Sequence, residues 1–147
     1  MTIYTLRSAR ETDSDAVKDI IHSAGINPIS LDWRRFTVAV DAHDRVIATG
    51  QIKPHGSEIH ELASIAVIRE HQGQGIARAI IERLLKDSPR PLYLTCTSSL
   101  GPLYEKFGFR VIPYDEMPRY FRRISKLAGL VFLLANKGES LLVMKLK

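Results

Sequence analysis

Leu62-Ala63-Ser64-Ile65-Ala66-Val67-Ile68-Arg69-Glu70-His71-Gln72-Gly73-Gln74-Gly75-Ile76-Ala77-Arg78-Ala79-Ile80-Ile81 places an apolar, strand-like run, a glycine-rich turn and the start of a helix in immediate succession. Ile76, Ala77, Ile80, Ile81, Leu84 and Leu85 recur at helical spacing. A turn of this kind aims free backbone N–H groups and the positive end of a helix dipole at one point. That point suits a phosphate or a pyrophosphate.

On the amino-terminal side of this segment, Thr2–Arg7 alternates apolar and polar residues as a half-buried strand does. Thr12-Asp13-Ser14-Asp15 offers caps for a helix with Ala16, Val17, Ile20, Ile21 and Ala24 on its inner face, stopped by Gly25. Ser30–Arg35 is compatible with a short second helix. Phe36–Val40 and Val46–Lys53 read as a hairpin, followed by a long strand from Glu58 to Ile68. On the carboxyl-terminal side the helix runs to Lys86, and Leu92–Cys96 is β-like. Leu100–Phe107 reads as helix and Phe109–Ile112 as strand. An amphipathic helix covers residues 117–128, its pattern continuing to Leu134, and Ser140–Leu146 is a last strand. The order predicts one mixed α/β domain over residues 1–147 with an antiparallel first half.

Composition narrows the function little. The 147 residues are 45% hydrophobic and 25% charged, as in an ordinary soluble globular protein. The net charge of +5 suits an anionic partner without selecting one. Charge is dispersed and no nucleic-acid-binding motif is present, so nucleic acid is disfavoured as a partner. Cys96 is the only cysteine, which excludes an intrachain disulfide and a multi-thiolate metal site. The histidines show no ligand spacing, so no metal is expected. The longest apolar run, Leu127 to Ala135, is too short to cross a bilayer. The expected setting is cytoplasmic.

Two separated motifs agree on a family. Gln72-Gly73-Gln74-Gly75-Ile76-Ala77 resembles the Gln/Arg-x-x-Gly-x-Gly/Ala signature of the GNAT superfamily of acyl-CoA-dependent N-acyltransferases. Glu61-Leu62-Ala63-Ser64-Ile65-Ala66-Val67 resembles that family's fourth strand. Leu103-Tyr104-Glu105-Lys106-Phe107-Gly108-Phe109 resembles its Leu-Tyr-x-x-x-Gly-Phe segment. Other phosphate loops fit poorly. A dinucleotide fingerprint starting at Gly73 needs glycine or alanine where Arg78 stands, and the Gly-Lys-Ser/Thr of a P-loop is absent.

The resemblance implies a mainly antiparallel mixed sheet of six to seven strands flanked by helices and splayed between strands 4 and 5. It implies transfer of an acetyl group from acetyl-CoA to a primary amine by direct attack on the thioester. Backbone N–H groups of Gln72, Gly73, Gln74, Gly75, Ile76 and Ala77 would hold the pyrophosphate. The pantetheine arm would pair with the strand edge at Ile65, Ala66 and Val67, an N–H near Val67 polarising the thioester carbonyl. Tyr104 is the candidate acid for the departing thiolate and Glu61 the candidate base for the amine. Cys96 is read as a small buried residue, since direct transfer needs no covalent enzyme intermediate.

Two departures from the family pattern stand out. Thr97 occupies the place of an asparagine that commonly contacts pantetheine, so only a hydroxyl is on offer there, and Gly101-Pro102 interrupts the following helix start. Met117–Leu134 is inserted before the last strand. Tyr120, Phe121, Ile124, Leu127, Ala128 and Val131 form its apolar face; Arg119, Arg122, Arg123 and Lys126 form a basic one. That helix is either docked with a solvated outer face or a lid over the acceptor site; Trp33, Arg34 and Arg35 stand where the resemblance puts helices that frame that site, and are read as packing and surface charge. A small-molecule amine is favoured over a protein amine, because no extended peptide-binding feature is readable. Stable membrane insertion is not expected, and a homodimer is compatible with the sequence. The rival is a catalytically silent acyl-CoA-binding sensor or interaction domain.

Overall fold

A computed structural model describes residues 2–135 and 138–147, so Met1 of the amino-terminal run lies outside the described residues. Among the described residues the strands are β1 (Thr5–Ser8), β2 (Phe36–Val40), β3 (Val46–His55), β4 (Ile59–Val67), β5 (Leu92–Thr97), β6 (Arg110–Val111) and β7 (Leu141–Leu146). The helices are α1 (Ser14–Ser23), α2 (Ile76–Asp87), α3 (Gly101–Glu105) and α4 (Arg119–Ala135). The strand order is β1-β2-β3-β4-β5-β7-β6. β4 and β5 are parallel, whereas β1–β2, β2–β3, β5–β7 and β6–β7 are antiparallel. This is the mainly antiparallel mixed sheet expected.

The second helix expected at Ser30–Arg35 is reduced to a 3-10 turn at Trp33–Arg35. Ser30 holds a left-handed φ of 61°, which a helix cannot contain, and the Asp32 side chain caps the turn by accepting from Arg34 N at 3.0 Å.

Contacts divide the chain into two compact units. One comprises the residues up to Lys53 with Leu62–Ser88; the other comprises Pro54–Glu61 with Pro89–Lys147.

In the first unit, β2 is buried at all five positions, as its Phe-Thr-Val-Ala-Val sequence requires of a strand covered on both faces. Phe36, Val38 and Val40 meet Val17, Ile20 and Ile21 of α1. Ala39, Ile47 and Ala48 meet Ile76 and Ile80 of α2. Gly50 lets α2 lie directly on β3: a Cβ there would come within 2.6 Å of Ile80 and 2.8 Å of Ile65. Ahead of α1, the buried Asp13 carboxylate accepts from Arg10 N at 2.7 Å and from the Arg7 guanidinium at 2.7 and 3.1 Å.

In the second unit, β5 and β7 pair along their whole lengths, from Leu92↔Leu146 to Thr97↔Leu141. The parallel join of β4 to β5 has two register pairs, His60↔Leu92 and Glu61↔Tyr93. Tyr93, Ile112, Met117, Phe121 and Val143 form the core, with Ile59 and Tyr120 against it. The apolar face expected on α4 is only partly covered. Phe121 is fully buried and Ile124 half-buried, whereas Leu127 and Val131 are 64% and 62% exposed. A helix of 17 residues is about 25 Å long and outruns the small core that its first two turns cover. Among the described residues no helix is long and apolar enough to cross a membrane.

Candidate active site

The first unit carries the glycine-rich turn. Gly73 and Gly75 both sit at φ 79°, and Gly75 is the residue from which α2 starts. Left-handed backbone is easy for glycine and costs other residues about 1–2 kcal/mol. A Cβ built on either glycine would meet nothing within 4 Å, so the turn faces open space. The N–H groups of the first turn of α2 have no intrahelical acceptor. Ile76 is buried and Ala77 half-buried, anchoring the helix start while the glycines remain exposed. The residues present therefore fit a diphosphate.

Side chains around the turn are otherwise engaged. Gln72 Nε2 donates to Val67 O at 3.0 Å, tying the turn back to β4. Gln74 Oε1 accepts from Thr2 N at 2.8 Å, and Thr2 Oγ1 lies 2.7 Å from His71 Nδ1. An open cleft of about 600 Å³ adjoins the turn, lined by Asp19, Ile20 and Ser23 of α1 and by Val67, Arg69 and Gln72.

Upstream, β4 carries a distortion that sequence reasoning missed. Ser64 is buried at φ 60° in mid-strand. Its carbonyl accepts from Thr49 Oγ1 at 2.8 Å and its hydroxyl accepts from Gln51 Nε2 at 2.9 Å. Those bonds offset a left-handed conformation costing about 1–3 kcal/mol. Beyond it, Ile65 and Val67 pack toward α2, while the buried Ala66 packs toward α1.

The second unit carries the candidate acid and base. Tyr104, on α3, is 9% exposed with its ring edge-on to Phe109 at 6.2 Å. Burial, with a further contribution from a charge on Cys96, pushes its phenol up to about 12. It is therefore a proton donor across the neutral range. Burial pushes the Cys96 thiol up to about 11, which keeps it from being a thiolate nucleophile at neutral pH. Thr97, closing β5, is half-buried with Oγ1 3.4 Å from Ser99 Oγ.

Glu61 is 7% exposed, and its Oε1 lies 2.7 Å from His55 Nε2. The Tyr120 ring stacks on the imidazole with centroids 3.8 Å apart, and Phe121 meets it edge-on at 5.8 Å. Burial and then the Glu61 charge raise the Tyr120 phenol above its ordinary value. His55 was not singled out from the sequence. The available signal was the alternation of Thr49, Gln51, Lys53 and His55, four polar residues at every second position of a strand otherwise rich in apolar ones. Among the described residues no group of three His, Cys, Asp or Glu side chains is placed to hold a metal ion.

Residues 32–111 match the acetyltransferase (GNAT) domain family. The chain is 30% identical over 114 residues to Increased DNA methylation 1 of Arabidopsis thaliana, a match covering 74% of this chain but 9% of that protein. N-acetylglutamate synthase from Neisseria gonorrhoeae, solved with coenzyme A and L-arginine, superposes with a TM-score of 0.71 at 15% identity. That match covers 99% of this chain and 34% of the synthase. Rv2747 from Mycobacterium tuberculosis, solved in complex with CoA, gives a TM-score of 0.68 at 24% identity and covers 95% of this chain and 97% of that one. The chain thus spans about a tenth of the plant relative and a third of the synthase.

Proposed function

From the premise that this chain belongs to the GNAT acetyltransferase family, we propose that it moves an acetyl group from acetyl-CoA to a primary amine, a small molecule in preference to a protein. The observation carrying this reading is the turn at Gly73–Ala77, with two left-handed glycines opening onto the amino end of α2 and unobstructed space before them. Acetyl-CoA supplies an activated acyl group; binding, orientation and proton transfer fall to the chain's own residues.

Backbone N–H groups from Gln72 to Ala77 hold the diphosphate, where the helix dipole favours negative charge. The backbone of Ile65, Ala66 and Val67 receives the pantetheine arm, with an N–H near Val67 directed at the acyl oxygen. Thr97 contributes a hydroxyl to the arm. Glu61 removes a proton from the acceptor, because an ammonium has no lone pair with which to attack. Tyr104, protonated through the neutral range, delivers a proton to the leaving sulfur.

Calorimetry with CoA and thiol release from acetyl-CoA across primary amines test the reading together. CoA binding with amine-dependent thiol release is expected. Absence of CoA binding by folded protein removes the cofactor assignment, and binding without turnover of any amine removes the enzymatic one.

A further inference from the structure

The contact between Glu61 and His55 joins the candidate base to a ring that can donate to it. An ionised carboxylate can only accept hydrogen bonds. With Glu61 ionised, as the role of base requires, Oε1 accepts from His55 at 2.7 Å and the imidazole carries a proton on Nε2. The ring has little freedom to turn away. Tyr120 lies over it at 3.8 Å and 23°, Phe121 abuts its edge at 5.8 Å, and Phe121 is fully buried and stacked on Tyr93 at 5.2 Å. Both Tyr120 and Phe121 belong to the first turn of α4.

Resting on the assignment of Glu61 as base, we propose that His55 is a positioning residue for proton transfer, and that Tyr120 of α4 is the side chain that holds it in place. His55 Nε2–H occupies Oε1, so the acceptor's proton goes to Oε2. In that step one N–H bond of the ammonium breaks and one O–H bond forms at Oε2. The charges on nitrogen and carboxylate are neutralised together, and the electron pair left on nitrogen is the one that attacks the acyl carbon. No further reagent is consumed, and the proton on Oε2 returns to solvent after turnover.

The groups facing the imidazole are consistent with this role. Glu61 approaches from β4, and the Tyr120 phenol, neutral at working pH, approaches from α4. Two of the basic residues of α4 point elsewhere: Arg122 and Lys126 lie over the Tyr114 ring at 5.6 and 5.4 Å. The helix is therefore more than a cover, because its first turn sets the orientation of the base.

The test compares His55→Phe, His55→Gln, Tyr120→Ala and Glu61→Gln with the parent. The readouts are CoA affinity, melting temperature and thiol release from acetyl-CoA with free amino acids, polyamines and short peptides as acceptors. Phenylalanine keeps the stack on Tyr120 but lacks the N–H; glutamine offers an amide N–H of similar reach. His55→Phe is expected to lose about tenfold or more in kcat, a fraction of the ~10²–10⁴ a general base contributes, with CoA affinity unchanged and the melting temperature lowered modestly because the buried carboxylate loses its donor. His55→Gln is expected to recover most of that loss. The acid limb of the pH–rate profile should move to higher pH in His55→Phe, because a donor to the ionised carboxylate favours that form. Tyr120→Ala should produce the same change more weakly.

Parent-like turnover in His55→Phe beside a slow Glu61→Gln overturns the role of His55 alone. Parent-like turnover in Glu61→Gln overturns the assignment of the base. A loss in His55→Phe that glutamine does not recover, with the acid limb of the pH–rate profile unmoved, reduces His55 to packing. Independently of turnover, ¹⁵N-edited spectra of the imidazole should show the proton on Nε2; a proton on Nδ1 instead overturns the proposal.

Discussion

Gly75 shows how much one residue type can specify. Its φ of 79° and ψ of 11° begin α2, and open space lies where a side chain would project. Gly75→Val is therefore expected to fold with a strain of about 1–2 kcal/mol while losing CoA affinity, because the branched side chain fills the cradle; calorimetry checks this. Tyr104→Phe should behave in the opposite way, with CoA affinity retained and kcat lowered by about 10²-fold or more. The phenol also leaves a mark on stability. Its proton is bound more tightly in the folded chain, up to about 12, than at its ordinary value of 10. The stability it contributes is full below pH 10 and lost as pH rises toward 12. Alkaline denaturation of Tyr104→Phe should lack that part of the slope. Gly73 and Gly75 were legible in the sequence as candidates from residue type and local spacing, and Glu61 and Tyr104 through the family resemblance. His55 was not, because its partners come from another strand and from a helix more than sixty residues away. Ser64 was equally hidden, since its left-handed turn is stabilised by Thr49 and Gln51 side chains that only the sheet brings to it.

At the scale of elements, hydrophobic periodicity located β2 at Phe36–Val40 and α2 to within one residue of its end. It failed where local geometry overrode pattern, as at Ser30, and where burial depended on how far a core extends, as along α4. Gly50 was invisible for a similar reason: a glycine in a strand announces close approach, but only the packed helix shows what approaches. Gly50→Ala is expected to destabilise by about 1–3 kcal/mol through overpacking against Ile80 and Ile65, measured by urea unfolding. The start of α1 gives a pH-dependent counterpart. The side-chain bond from Arg7, and then the Arg10 amide, hold the Asp13 carboxyl below the ordinary carboxylate value against the opposing effect of burial. Its contribution is present above about pH 4 and lost as pH falls through the lowered folded value. Asp13→Asn should cost about 1.5–3 kcal/mol at pH 7, the worth of a charged hydrogen bond, and flatten the acid limb of the stability profile.

For the molecule as a whole, the mainly antiparallel mixed sheet was legible through family resemblance, whereas the order of strands and the parallel β4–β5 pair were not, since composition and periodicity do not fix sheet order. Binding should be visible as stability of the entire chain. CoA at about 100 times its Kd should add about 2.7 kcal/mol, or about 5–11 °C in melting temperature for a chain of this size. Pantetheine, which lacks the diphosphate, should give far less at equal concentration; an equal shift would show that the glycine turn is not where the grip resides. The attachment of Thr2 to Gln74 and His71 has a practical corollary. Thr2 laces the segment ahead of β1 to the loop assigned to the coenzyme, so Thr2→Gly, which removes the hydroxyl facing His71, should slacken that loop. The variant's affinity for CoA should then fall below the parent's, as calorimetry would read.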